Sequence, residues 1–67
     1  MEDRLFKTFA ALSNTVNDCQ EDLTRFTNGN KSAGTRLRKA MQETKRLAQQ
    51  VRVEVQEQKN TVLAWEV

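Results

Sequence analysis

The sequence predicts an all-α fold, a two-helix antiparallel hairpin. Three observations carry this expectation. No proline interrupts the chain, apolar residues recur at alternating steps of three and four, and the only glycines, Gly29 and Gly34, stand near the middle. The helices fall at about residues 3–28 and 31–59, and the whole chain, 1–67, reads as a single domain.

The turn comes first because it divides everything else. Asn28-Gly29-Asn30 is the one clear punctuation. Glycine takes the left-handed conformation that ends a helix, and Asn is a good cap. Asn30 or Ser32 then caps the start of the second helix.

In the first helix Leu5, Phe9, Leu12, Val16, Cys19, Leu23 and Phe26 form an unbroken heptad seam, as expected of a face packed against other helices. Ser13-Asn14-Thr15 and Asn17-Asp18 are poor helix formers, so a kink or break belongs in that stretch, although the seam runs through it in register.

The second helix carries a wider stripe. Two seams can be drawn on it, Leu37-Ala40-Thr44-Leu47-Val51 and Leu37-Met41-Thr44-Ala48-Val51-Val55. One hairpin partner cannot cover both. The expectation is a homodimer, two hairpins face to face in a four-helix bundle. Size points the same way, because a chain this short buries only ~60% of its unfolded surface. The tail, residues 60–67, either continues the second helix or ends as a strand or frayed segment, with Trp65 as a packing anchor.

Composition excludes several alternatives. One cysteine forms no intrachain disulfide, and with no histidine it cannot build a four-ligand zinc site, so no metal and no cofactor are expected. Cys19 sits on the apolar seam, where a thiol usually serves as a small hydrophobe. No catalytic residues are assigned: there is no histidine base and no paired carboxylates with an evident cleft. Nothing approaches the ~18–20 apolar residues of a membrane span. The start, Met1-Glu2-Asp3-Arg4, is not that of a signal peptide, and a free thiol suits a reducing, cytoplasmic setting.

Charge is segregated. Residues 1–28 hold three basic and five acidic side chains, a net of −2, and residues 29–67 hold eight and four, a net of +4. Lys31, Arg38, Lys45, Arg52 and Lys59 recur every seven residues, a spacing that drifts only ~20° per step on a helix. They form one nearly straight basic line beside the apolar stripe. Lys39 and Arg46 lie next to it. Such a line suits a phosphate backbone, without base-specific reading, since no aromatic platform accompanies it. A plainer reading also stands. Basic stems cover apolar surface, and the cations could pair with Asp18, Glu21 and Asp22 of the first helix. Gly29 and Gly34 have phosphate-loop spacing, but Thr35-Arg36 replaces the Lys-Ser/Thr pair and no strand precedes it, so a plain helix cap is the better reading.

The run Gly29-Asn30-Lys31-Ser32-Ala33-Gly34-Thr35-Arg36-Leu37-Arg38-Lys39, followed by Lys45-Arg46-Leu47 and Val51-Arg52, resembles the small histone H1-like proteins of chlamydiae and other bacteria over roughly residues 26–59. The resemblance implies a nucleoid-associated helical hairpin that binds double-stranded DNA without sequence preference. It also implies that Lys31, Arg36, Arg38, Lys39, Lys45, Arg46 and Arg52 face the DNA. The chain departs from several family members in ending Val62-Leu63-Ala64-Trp65-Glu66-Val67, where they carry a basic tail, and in its acidic first helix. The alternative is therefore a dimeric protein–protein interaction module with no DNA role.

Overall fold

The computed structural model describes the backbone of residues 4–66 and the side chains of residues 4–60. The expected helix start at Asp3 and the packing role of Trp65 lie outside these described parts. Three helices follow in order: α1 (Arg4–Asp18), α2 (Gln20–Thr27) and α3 (Lys31–Glu66). The first two form one bent rod, antiparallel to α3. The molecule measures 57 × 16 × 12 Å, which is two helices side by side.

The turn is held at both ends by hydrogen bonds. Gly29 has φ of 105°, and its N–H donates to the Phe26 carbonyl at 3.0 Å. The Asn30 N–H donates to the Arg25 carbonyl at 2.9 Å, which completes a Schellman end for α2. Asn30 then begins α3, its Oδ1 accepting the Ala33 N–H at 3.1 Å. One asparagine thus closes one helix and opens the next.

Two expectations about helix limits are corrected. The first helix is divided at Cys19, between α1 and α2, just past the Asn17-Asp18 weakness. There the Cys19 N–H reaches back three residues to the Val16 carbonyl at 3.3 Å, a tightened turn that bends the rod without ending it. The second helix does not stop near Lys59; α3 continues to Glu66.

The contact line on the first rod is also displaced from the expected seam. It runs through Leu5, Thr8, Leu12, Thr15, Cys19 and Asp22, all buried or part-buried, with Ser13 part-buried beside it. Phe9 and Leu23, expected inside, are 56% and 51% exposed. The threonines are tolerated at the contact because each satisfies its own hydroxyl on the preceding turn: Thr8 Oγ1 donates to the Arg4 carbonyl at 3.0 Å and Thr15 Oγ1 to the Ala11 carbonyl at 2.9 Å. On α3 the contact line is Ala33, Leu37, Ala40, Thr44, Leu47 and Val51, continued by Glu54 and Gln58. This is the first of the two expected seams; Met41 and Val55 of the second are exposed. Among the described residues the buried apolar ones are few, Cys19, Ala33 and Leu47, and no large side chain is fully enclosed.

Candidate nucleic-acid interface

The hairpin has two unlike flanks, and their contents follow from helix geometry. A residue one position before a contact residue such as Leu37 lies ~100° to one side, and a residue four positions after it lies ~40° to the other. On the first flank stand Arg4 of α1 and Arg36, Gln50 and Glu57 of α3. On the second stand Phe9 and Val16 of α1, Leu23 of α2, and Met41, Ala48 and Val55 of α3.

The first flank is bolted by polar contacts. Arg36 Nε donates to Asp22 Oδ1 at 3.0 Å. Arg4 pairs with Glu57, and its Nε lies 3.5 Å from Glu54 Oε2. Gln50 Nε2 donates to Glu54 Oε2 at 3.0 Å and reaches Thr8 Oγ1 at 3.5 Å. Glu54 is nearly buried, and its Oε1 has no hydrogen-bond partner among the described residues. The Gln50 hydrogen bond, then the Thr8 hydroxyl and the Arg4 charge, hold its carboxyl below the usual carboxylate range against the opposing effect of burial. The sequence signal for this cluster was available: positions 54 and 58 continue the spacing of Leu47 and Val51 but are polar.

The basic line borders the second flank. Lys31, Arg38, Lys45, Arg52 and Lys59 each stand one residue after a contact position or cap, and all five are exposed. Among the described residues none of the five has an ion-pair partner; of the acids expected to neutralise them, Asp22 pairs with Arg36 and Glu21 with Arg25, and Asp18 pairs with none. Lys39, on the outer surface, is exposed and likewise unpaired among the described residues.

The other two predicted site residues sit differently. Arg36 belongs to the bolted flank. Arg46 holds Glu43 through two hydrogen bonds, at 3.1 and 2.5 Å, which keep the Glu43 carboxyl below its usual range. The structure thus brings Lys31, Arg38, Lys45 and Arg52 into one line with Lys39 nearby, and turns Arg36 and Arg46 to pairing within the fold. Lys59, outside the seven, extends the line by one step.

Among the described residues no cluster of potential metal ligands occurs, and no described helix is long and apolar enough to cross a membrane.

Among the described residues the antiparallel helical hairpin carries one basic line without ion-pair partners along its long helix. The family model described as "Histone H1-like protein Hc1" matches residues 6–61, and the chain belongs to this histone H1-like family. No curated protein and no solved structure matches the chain.

Proposed function

We propose that the protein is a sequence-nonspecific, nucleoid-associated DNA-binding protein of the cytoplasm, working as a homodimer. It contacts the phosphates of double-stranded DNA through Lys31, Arg38, Lys45 and Arg52, with Lys39 beside them. Arg36 and Arg46 contribute less, because each would have to leave a carboxylate first. The observation that carries the reading is that, among the described residues, the basic line has no ion-pair partner while Glu21 and Asp22 pair with other arginines. Membership of a histone-like family supports the same partner. The reading includes no catalytic step.

The geometry explains why no sequence would be selected. Cations seven residues apart are ~10 Å apart along the helix. A duplex carries one negative charge per ~1.7 Å of axis, so a phosphate is available to each cation in almost any register.

Fluorescence anisotropy with a short duplex over a salt series tests this. Five cations neutralising five phosphates give a log–log slope of at most ~4.5. Arg38→Glu with Lys45→Glu should remove binding while circular dichroism stays helical. Absence of binding by the unaltered chain at low salt would sink the proposal. The second reading, a protein–protein module, is favoured by the open apolar flank. It predicts a partner-dependent loss of Phe9 and Leu23 exposure with no response to DNA.

A further inference from the structure

The open flank has a definite occupant. We infer that two hairpins join through it with the α1–α2 rod of each lying on α3 of the other, so that the two basic lines face opposite ways and the dimer bridges two duplexes. The inference rests on the DNA-binding homodimer proposed above and decides between bridging two duplexes and coating one.

The argument begins with shape. Three contacts fix the register of the hairpin: Thr8 stands level with Gln50, Asp22 with Arg36, and Phe26 with Gly34. In that register Phe9 is level with Ala48, Val16 with Met41 and Leu23 with Gly34, each within about two residues, or ~3 Å. The bulky row therefore lies on α1 and α2, and at the same heights on α3 Ala48 is small and part-exposed, while Gly34 is covered by the Phe26 ring of its own chain. A two-fold axis parallel to the helices keeps every residue at its own height and places each rod over the partner's α3. Phe9 then meets the partner's Ala48, large against small, and Leu23 meets the Phe26 ring that covers the partner's Gly34. An interface of this symmetry is the same patch on both copies, as closed dimers require.

Charge chooses the same arrangement. The outer border of the flank on α3 is the five-cation line; the matching border on the first rod is Phe6, Ser13, Gln20 and Thr27, which carries no charge. Rod on α3 sets the cations beside uncharged side chains. The other two-fold arrangement sets α3 on α3 and runs one five-cation line along another, with no acid between them. Like charges so placed repel.

The consequence is functional. With α3 at diagonal corners of the bundle, the basic lines emerge on opposite sides, about two helix diameters or ~20 Å apart. A straight duplex can lie against only one of them, which leaves the other for a second duplex.

Two experiments on the full chain test the arrangement. In a Cys19→Ser background, Val16→Cys and Met41→Cys chains are mixed, allowed to exchange and then oxidised. Both positions are exposed in the hairpin, so its own packing is undisturbed. The mixed Val16–Met41 disulfide should exceed either homodisulfide by about tenfold, because the bond forms only where Cβ atoms approach closely. In the second experiment an immobilised duplex loaded with the unaltered protein should capture a labelled second duplex. A monomer mass by light scattering, or predominant homodisulfides, would overturn the stacking. Binding to the first duplex without capture of the second would overturn the bridge while leaving DNA binding in place. A mixed disulfide with no DNA binding at all would instead remove the functional reading and with it the bridge.

Discussion

The two flanks of the hairpin do opposite work with the same residue spacing. On one, Arg4, Thr8, Asp22, Arg36, Gln50 and Glu54 join the helices through hydrogen bonds and ion pairs. On the other, Phe9, Val16, Leu23, Met41 and Val55 stay partly exposed, and the basic line runs beside them. A polar flank gives a small core direction: buried polar groups that must find partners fix register more sharply than interchangeable apolar ones. An apolar flank gives a small core something further to bury. The hairpin has used its polar groups to align two helices and kept its larger side chains for a surface.

The strongest test of this division is on DNA. Neutralising Arg38 and Lys45 to Gln, on the open side, should lower the salt slope by ~2, as two phosphate contacts are lost. Arg36→Gln on the bolted side should leave the slope within ~0.5, since that guanidinium is engaged with Asp22. Equal effects would mean that the ion pair opens on binding and that the flanks are not distinct. Next in size is stability. Leu47, 6% exposed on the contact line, should lose about 2–4 kcal/mol on Leu47→Ala in urea unfolding. Met41→Ala, on the open flank of the same helix, should cost clearly less at low protein concentration and more at high concentration, as dimer packing enters.

Much of this was legible in the residues. The turn at Gly29, the Asn30 cap, the helical class and the basic line all rest on local rules, and local rules need no partner. The second helix was also readable, because Leu37-Ala40-Thr44-Leu47-Val51 is an apolar seam that is in fact the contact line. The first rod was misread by one row. Hydropathy selects Phe9, Val16 and Leu23, whereas the contact uses Thr8, Thr15 and Asp22. Those three are acceptable inside only because two threonines bond their own helix and Asp22 meets Arg36 across the turn. A pairing between residues fourteen apart on different helices cannot be read from periodicity. The pairing of Arg36 with Asp22 is of this kind. Arg46 differs, because its partner Glu43 lies three residues before it on the same helix, a local pair the sequence could have shown.

A smaller effect distinguishes the bolted flank by pH. The Glu54 carboxyl sits below its ordinary value of 4.5, so its ionised form is favoured by folding. That stability is present above 4.5 and is lost as pH falls through the depressed folded value. The midpoint of thermal unfolding should therefore fall on acidification from about pH 5, and Glu54→Gln should flatten the fall while lowering the midpoint at pH 7. An identical acid profile in the variant would show that the cluster of Arg4, Thr8, Gln50 and Glu54 does not hold the end of the hairpin.

The smallest effect lies at the turn, where both flanks begin. A Cβ on Gly34 would stand 2.6 Å from Cδ1 and Cε1 of the Phe26 ring, so something has to move. Alanine at a helical position is otherwise worth ~1 kcal/mol over glycine. The ring is half-exposed and can swing outward, giving up its contact with α3 as it does so. The two effects oppose, and Gly34→Ala alone should change stability by less than ~0.5 kcal/mol. In a Phe26→Ala background the obstruction is gone, and the same substitution should stabilise by the full ~1 kcal/mol. The difference between those two steps measures how firmly Phe26 is seated against the start of α3. If Gly34→Ala stabilises equally in both backgrounds, the ring moves freely, and the glycine is not there to admit it.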